Sequence, residues 1–403
     1  MTAVPLRRNR DFLLFQAGQL LSDAGTQLTS IAYPMLVLAV TGSAAKAGVV
    51  AFARTLPWLL FTLPAGVAAD RWDRRRLMIA ADVVRLLAVG GLAAAILLHR
   101  TAFWAIPLVA FVEGAGSAVF ATTQFGALRA VVPAPQLPAA MSAQVGRQAA
   151  VRVVGPSVGG ALFGVAQALP FLADAASYAC STASLLAMRT PFQQPREPDR
   201  SPLRERFAEG VRFLWGHRFL RTCALLFGLA NFIGPGLVLA VVVLGTRQGL
   251  PEGQVGVLVG AFGACLLLGS LLSPLVRRRL PVRAVLLLEL WTWPGCALFL
   301  VWPDVYVLTA SMLVTALAIP STDSVVHGYR VAMTPDRLLG RVESVRGTIS
   351  LAIAPLGPLA AGALLDAASA RATIGLFAAF GLLLAAWGTL SPSIRAAPSI
   401  DEL

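Results

Sequence analysis

The sequence predicts an all-α polytopic membrane protein, with twelve transmembrane helices in two parallel-repeat six-helix bundles. Three observations predict it. First, 57% of the 403 residues are hydrophobic and only 13% are charged; a soluble chain of this length carries far more charge. Second, twelve apolar stretches each approach the roughly 20 residues a helix needs to cross a bilayer. Backbone groups in lipid must be satisfied internally, so these stretches are helices. Third, features recur at an offset of 202: Pro133 on Pro335, Gly155-Pro156 on Gly357-Pro358, Gly160 on Gly362, and Arg75-Arg76 on Arg277-Arg278. One offset close to half the chain length marks duplicated halves, and parallel halves are related about the membrane normal.

The first span covers 12–40. The basic segment before it, MTAVPLRRNRDF, leads to no small-residue cleavage site, so this span is expected to be retained. Spans two to six cover 46–69, 76–98, 102–122, 139–166 and 169–188. A dense charged turn, Gly66 to Leu77 (GVAADRWDRRRL), joins the second and third. After the sixth comes the polar, Pro-rich RTPFQQPREPDRSP, a composition suited to a flexible linker. LRERFAEGVRFLWGH follows, with Leu203, Phe207, Val211 and Leu214 at helical spacing and Arg204, Arg206, Glu209 and Arg212 on other faces. That pattern predicts an amphipathic helix for the cytoplasmic membrane surface. The remaining spans cover 219–246, 253–276, 282–301, 304–328, 340–366 and 372–391. The expected domains are an N-terminal bundle over 1–190, a cytoplasmic linker with its helix over 191–218, a C-terminal bundle over 219–391 and a cytoplasmic tail over 392–403.

The net charge of +13 does not point to nucleic acid, because no basic patch is interleaved with exposed aromatics. The charge follows topology instead. Loops on the N-terminal side hold 24 arginines, while the opposite loops hold only Lys46, Arg100, Arg247 and Arg371. Both termini are therefore expected in the cytoplasm. The Arg-for-Lys bias with abundant Ala suggests a GC-rich bacterial genome. Cys180, Cys223, Cys265 and Cys296 lie in apolar segments without C-x-x-C spacing, so they read as packing residues, with no disulfide framework. His99, His217 and His327 are scattered, and no metal site is expected. A P-loop ends in Gly-Lys, whereas the sole lysine, Lys46, follows Ala45; ATP hydrolysis by that route is excluded.

The spacing G-x-x-x-D-R-x-x-R-R from Gly66 to Arg75 resembles the loop 2–3 signature of the major facilitator superfamily of secondary transporters, which usually has a second Gly where Asp73 stands. Within it, the chain resembles the drug-exporter branch typified by macrolide efflux and enterobactin export proteins. LLSDAGTQLTSIAYPMLVL, VVPAPQLPAAMSA, VVGPSVGGALFG, LPFLADAASYACS and FAEGVRFLWGHRFLR carry the likeness. The resemblance implies a secondary exporter of small organic molecules, driven by protons and working by alternating access. It also implies a monomer in a bacterial inner membrane, without cofactor and without enzymatic activity. An importer of the same fold and a non-transporting sensor or scaffold are the rival readings. The chain departs from the branch at Thr26, where members often carry an acid. It also has Ser142 and Val151 at the spacings of upstream glycines in the fifth-span motif, leaving G-P-x-x-G-G.

Three sets of residues are candidates for function. Gly66, Asp70, Arg71, Arg74 and Arg75 form the gating motif. The resemblance implies that Asp70 meets the N-terminus of the eleventh helix near Gly340-Arg341, whose dipole favours an anion; a role in topology alone is the alternative. Gly155, Pro156, Gly159 and Gly160 form a hinge in the fifth span, where Pro lacks an N–H and Gly permits close helix approach. GPSVG also spells the G-x-S-x-G elbow of hydrolases, without the strand–turn–helix context which that chemistry needs. Asp23, Arg54, Glu113, Arg147 and Arg152 are the substrate and proton pathway, because charges inside spans are costly and usually functional. Asp23 and Glu113 each lie about eleven residues into a span, roughly 16 Å deep. Glu113 is the first candidate for proton coupling and Asp23 the second; static pairs with Arg54, Arg147 or Arg152 are the alternative. Asp82 and Arg85 read as a local pair, and Asp174 as a cap or packing residue. Glu289 and Asp323 are lesser candidates for substrate contact. Trp58, Phe111, Trp291 and Trp293 are candidate walls for apolar or cation–π contact.

Overall fold

The computed structural model describes residues 5–192 and 203–397, with the side chains of Asp70, Leu203 and Arg206 outside the description. Six long helices come first: α1 (Arg10–Thr41), α2 (Ala44–Arg71), α3 (Arg74–Leu97), α4 (Ala105–Val131), α5 (Leu137–Val165) and α6 (Leu169–Ala187). α7 (Leu203–Gly216) is the expected amphipathic helix; the Pro-rich linker before it lies outside the described residues over 193–202. Then come α8 (Arg218–Ala230), α9 (Ile233–Arg247), α10 (Glu252–Arg279), α11 (Val282–Thr292), α12 (Leu298–Val301), α13 (Val305–Met333), α14 (Asp336–Ile353), α15 (Leu356–Ala367), α16 (Ala370–Leu390) and α17 (Pro392–Arg395).

Ten segments among the described residues are long and apolar enough to cross a membrane. α5 and α6 complete the twelve; Arg147 and Arg152 in the one, and hydroxyls with Asp174 in the other, lower their hydropathy. The offset of 202 carries 105–131 onto 307–333 and 137–165 onto 339–367, the places of α13 and of α14 with α15.

The short loops work because side chains cap the first turns, whose N–H groups have no partner inside the helix. Asn9 accepts from the Phe12 N–H at 3.1 Å. Ser43 accepts from Lys46 at 3.2 Å, Asp73 from Arg76 at 2.9 Å, and Ser369 from Ala372 at 3.1 Å. α1 ends at Gly42, in the left-handed region at φ 66°.

Three spans expected as single helices are interrupted. The seventh breaks between α8 and α9, where Asn231 donates to the Phe227 carbonyl at 2.7 Å and Pro235 sits in the first turn of the new helix. The ninth passes through a 3-10 turn, Trp293–Ala297, that contains Pro294. The eleventh breaks before Leu356 at Pro355. Proline removes a donor and crowds the preceding turn, yet α1, α2 and α5 continue through Pro34, Pro57, Pro64 and Pro156. Sequence pattern alone does not separate the two outcomes.

The chain forms two compact units. The first comprises Met1–Pro198 and Thr246–Gly260, the second Asp199–Gly245 and Ala261–Leu403. In the first, α1 packs on α2, α5 and α6, while α4 packs on α2 and α3, and α3 on α6. One end is closed by a core around Phe12, Phe15, Met78, Phe120, Leu185 and Phe192. In the second unit, α11 packs on α13, and α16 on the Trp293 turn. Phe232 and Phe377 stack there at 5.2 Å and line an apolar cavity of about 350 Å³ with Leu229, Leu364, Leu376 and Phe380.

α7 packs on α14. Gly210 lies against the Arg341 carbonyl, Glu209 pairs with Arg341, and Leu214 is buried. Part of the apolar face assigned to a membrane surface is thus covered by protein.

Candidate functional site

Polar and charged side chains converge inside the first unit. Arg54 of α2 bonds Glu113 Oε1 of α4 at 2.8 Å. Its guanidinium also donates to the Thr26 carbonyl of α1 at 2.9 Å, reaches Thr29 Oγ1 at 3.4 Å and lies over the Tyr33 ring, 5.4 Å from the centroid. Thr29 Oγ1 stands 3.0 Å from Asp174 Oδ2 of α6. The Thr26 and Tyr178 hydroxyls are 3.0 Å apart. Arg85 of α3 pairs with Asp82 and lies over the rings of Tyr178 and Phe120, at 4.3 and 4.9 Å.

The network is deeply enclosed. Glu113 is 1% exposed and Asp174 0%; Asp82 and Arg85 are also buried. Among the described residues, Glu113 Oε2, the Tyr33 hydroxyl and Asp82 Oδ2 find no well-formed hydrogen bond, although Tyr33 lies beside Glu113 and Asp82 beside Ser181. Incompletely satisfied charges at such depth are expensive, and their arrangement is sensitive to any change of charge. Thr26, Thr29 and Tyr33 face it together because residues three and four apart share one helix face.

A second pair lies along α1. Asp23 Oδ2 meets Arg147 of α5 at 3.0 Å, and Arg147 also donates to Gln16 Oε1 at 2.5 Å. The acid is the exposed member of this pair, Asp23 at 32%, whereas in Arg54–Glu113 the acid is enclosed and the arginine is 20% exposed. The structure therefore divides the pathway candidates into two pairs. Arg152 stands apart, exposed on α5, with no ion pair among the described residues.

In the charged turn, Asp73 caps α3, which accounts for an acid where a glycine is usual. Arg75 donates to the carbonyls of Leu186 and Met188 at 2.7 and 2.6 Å, tying the turn to the end of α6 and supplying the positive charge a helix C-terminus favours. Arg74 donates to the Ala69 carbonyl at 3.2 Å and packs on Gly126 of α4. Arg71 is exposed. Gly66 faces Thr122, with room for a Cβ. The Asp70 side chain lies outside the described residues.

The glycines of α5 face two neighbours. Gly155 lies against Gln27 and Gly159 against Leu28 of α1; Gly160 lies against Glu252 and Gly256, in the part of α10 that belongs to this unit. Pro156 is buried within an unbroken helix.

Sequence pattern gives Asp174 and Arg85 only packing or local roles and gives no sign of Tyr33, Thr29 and Tyr178. The acid in LADAASYACS is the one signal in the sequence. Position along one helix does not reveal its burial, which depends on how close α1 and α6 come. Of the four candidate wall residues, Phe111 packs on Phe61 at 6.3 Å and Trp291 donates to Thr389 at 3.0 Å. The cation–π contacts within the chain, among the described residues, involve Tyr33, Phe103, Phe120 and Tyr178. In the second unit, Glu289 is buried.

Known proteins resemble this chain along nearly its whole length. It is 28% identical over 403 aligned residues to the multidrug efflux pump Tap of Mycolicibacterium fortuitum, covering 95% of this chain and 96% of that one. It is 26% identical over 154 residues to macrolide efflux protein A of Streptococcus pyogenes, 38% of each chain. A solved bacterial homologue of the iron transporter ferroportin shares its fold with a TM-score of 0.76, at 17% identity over 96% of this chain and 99% of that one. A family model described as transmembrane secretion effector matches residues 2–402. This multi-pass membrane protein therefore belongs to the transmembrane secretion effector family of the major facilitator superfamily of transporters.

Proposed function

We infer that the protein is a proton-coupled secondary exporter of small amphipathic organic molecules, acting as a monomer in a bacterial inner membrane. The observation that carries this reading is the end-to-end likeness to a multidrug efflux pump. The charged network inside the first unit supports it, because charges are retained within spans chiefly where substrates or protons pass. Transport follows alternating access, with the bundles 1–190 and 219–391 as its two parts. Asp23, reachable and paired with Arg147, receives the cationic end of a substrate, and the enclosed acids handle the proton. The turn that carries Asp70, Arg74 and Arg75 gates the cytoplasmic side. Losing roughly 1.4 kcal/mol of a gating interaction shifts a two-state ratio tenfold.

Expression in a pump-deficient bacterial host is expected to raise resistance to several chemically unrelated drugs and to lower their accumulation. A protonophore removes the effect, and Asp70→Asn greatly reduces it with membrane insertion intact. Unchanged susceptibility across a broad panel, or increased accumulation, overturns the exporter reading. The bias of 24 arginines against four basic residues makes a second prediction. A reporter fused after Leu403 should report the cytoplasm, and a periplasmic signal would reverse the assigned orientation.

A further inference from the structure

We propose that Asp174 is the group that binds and releases the transported proton, with Arg54–Glu113 and Arg85–Asp82 as the fixed charges around it. The inference rests on the proton-coupled reading above and names its site. The network holds three carboxyls and two guanidiniums. Glu113 is matched by Arg54 and Asp82 by Arg85. Asp174 is the third acid, fully enclosed and without an ion pair among the described residues. Its side-chain partners are two hydroxyls, Thr29 Oγ1 at 3.0 Å and Ser177 Oγ at 3.4 Å.

Those hydroxyls can serve either charge state. Thr29 Oγ1 is also 3.1 Å from the Thr26 carbonyl, and Ser177 Oγ is 2.7 Å from the Asp174 carbonyl. A hydroxyl has one hydrogen and can turn it either way. Turned to Asp174, both stabilise the carboxylate. Turned to the backbone carbonyls, they leave the Thr29 oxygen to accept a hydrogen bond from a protonated carboxyl. Taking up the proton forms one O–H bond on the carboxylate and breaks none within the protein; release reverses this. Thr29 is also within 3.4 Å of Arg54, so the same hydroxyl connects the proton site to the Arg54–Glu113 pair.

Gly25 makes the enclosure possible. A Cβ there would overlap the Asp174 carboxyl and come 2.8 Å from Asp174 Cα. The charged and titratable groups around Asp174 come from every neighbour. α1 brings Tyr33, α2 Arg54, α3 Asp82 and Arg85, and α4 Glu113, with Tyr178 on α6 itself. On α5, Arg147 is engaged by Asp23 and Arg152 is exposed.

Two measurements on the full chain in lipid test the assignment. Infrared titration should show a protonated-carboxyl carbonyl band that comes and goes with pH. One component of that band should be lost in the near-isosteric Asp174→Asn and kept in Glu113→Gln, over the bands of the remaining acids such as Asp23 and buried Glu289. A titrating band unchanged by Asp174→Asn, or no titrating band in the wild type, overturns the proposal. In vesicles with an imposed pH gradient, the wild type should concentrate ethidium, whereas Asp174→Asn should only equilibrate it, so the accumulation ratio falls to one. Uphill accumulation by Asp174→Asn also overturns the proposal. A wild type that moves ethidium with no response to the gradient defeats the proton-coupled reading itself, whatever the infrared band shows. If Asp174→Asn does not fold, Thr29→Val should displace the titration of the band by about one pH unit, a tenfold change in proton affinity. An unmoved titration in Thr29→Val then counts against Asp174 as its source.

Discussion

Arg54→Met will remove a large part of the stability of the first unit, and adding Glu113→Gln will restore much of it. In the single variant a carboxylate that is 1% exposed loses the guanidinium that meets it at 2.8 Å. Breaking a buried pair from one side costs about 3–5 kcal/mol. Proteins have only about 5–15 kcal/mol to lose. The double variant removes the stranded charge as well as its partner. Glu113→Gln alone costs less, because Arg54 keeps the Thr26 carbonyl at 2.9 Å and the Tyr33 face. Thermal unfolding of the four purified proteins gives the coupling, expected at about 2–3 kcal/mol. Additive losses would show that the pair does not hold the unit together.

The second large effect is a series along α5. A Cβ at Gly159 would stand 2.6 Å from the Leu28 carbonyl oxygen and 2.9 Å from Leu28 Cα. Both are backbone atoms, so Gly159→Ala forces α1 and α5 apart, and overpacking of this kind costs about 1–3 kcal/mol. At Gly155 the obstacle is Gln27 Cβ, which is fixed to its backbone and cannot rotate away, so Gly155→Ala should lose a comparable amount. At Gly146, on the same helix, nothing lies within 4 Å. There Ala should be neutral or gain up to about 1 kcal/mol from the lost freedom of glycine. Unfolding temperatures should place Gly146→Ala above both Gly155→Ala and Gly159→Ala. Equal values at Gly146 and Gly159 would mean that close α1–α5 approach contributes nothing.

By itself the sequence determined the features that depend on one segment at a time. Apolar length identified the spans, and the offset of 202 identified the repeat. The GVAADRWDRRRL turn and the exporter-like stretches identified the family, and the rarity of charge inside spans singled out Asp23, Arg54 and Glu113. Such features follow from what lipid demands of any helix, whatever its neighbours. Only the tertiary structure decided how the charges are shared. It joined Arg54 with Glu113 across 59 positions, Arg147 with Asp23 across 124, and Thr29 with Asp174 across 145. It also decided which prolines interrupt a helix, that α14 covers part of α7, and that Asp174, open to a cap or a packing role in the sequence, is enclosed. Each of these depends on the rotation and approach of neighbouring helices. That approach is set by which small residues meet, as at Gly25 and Gly159, and hydrophobic spacing along one helix carries no record of it.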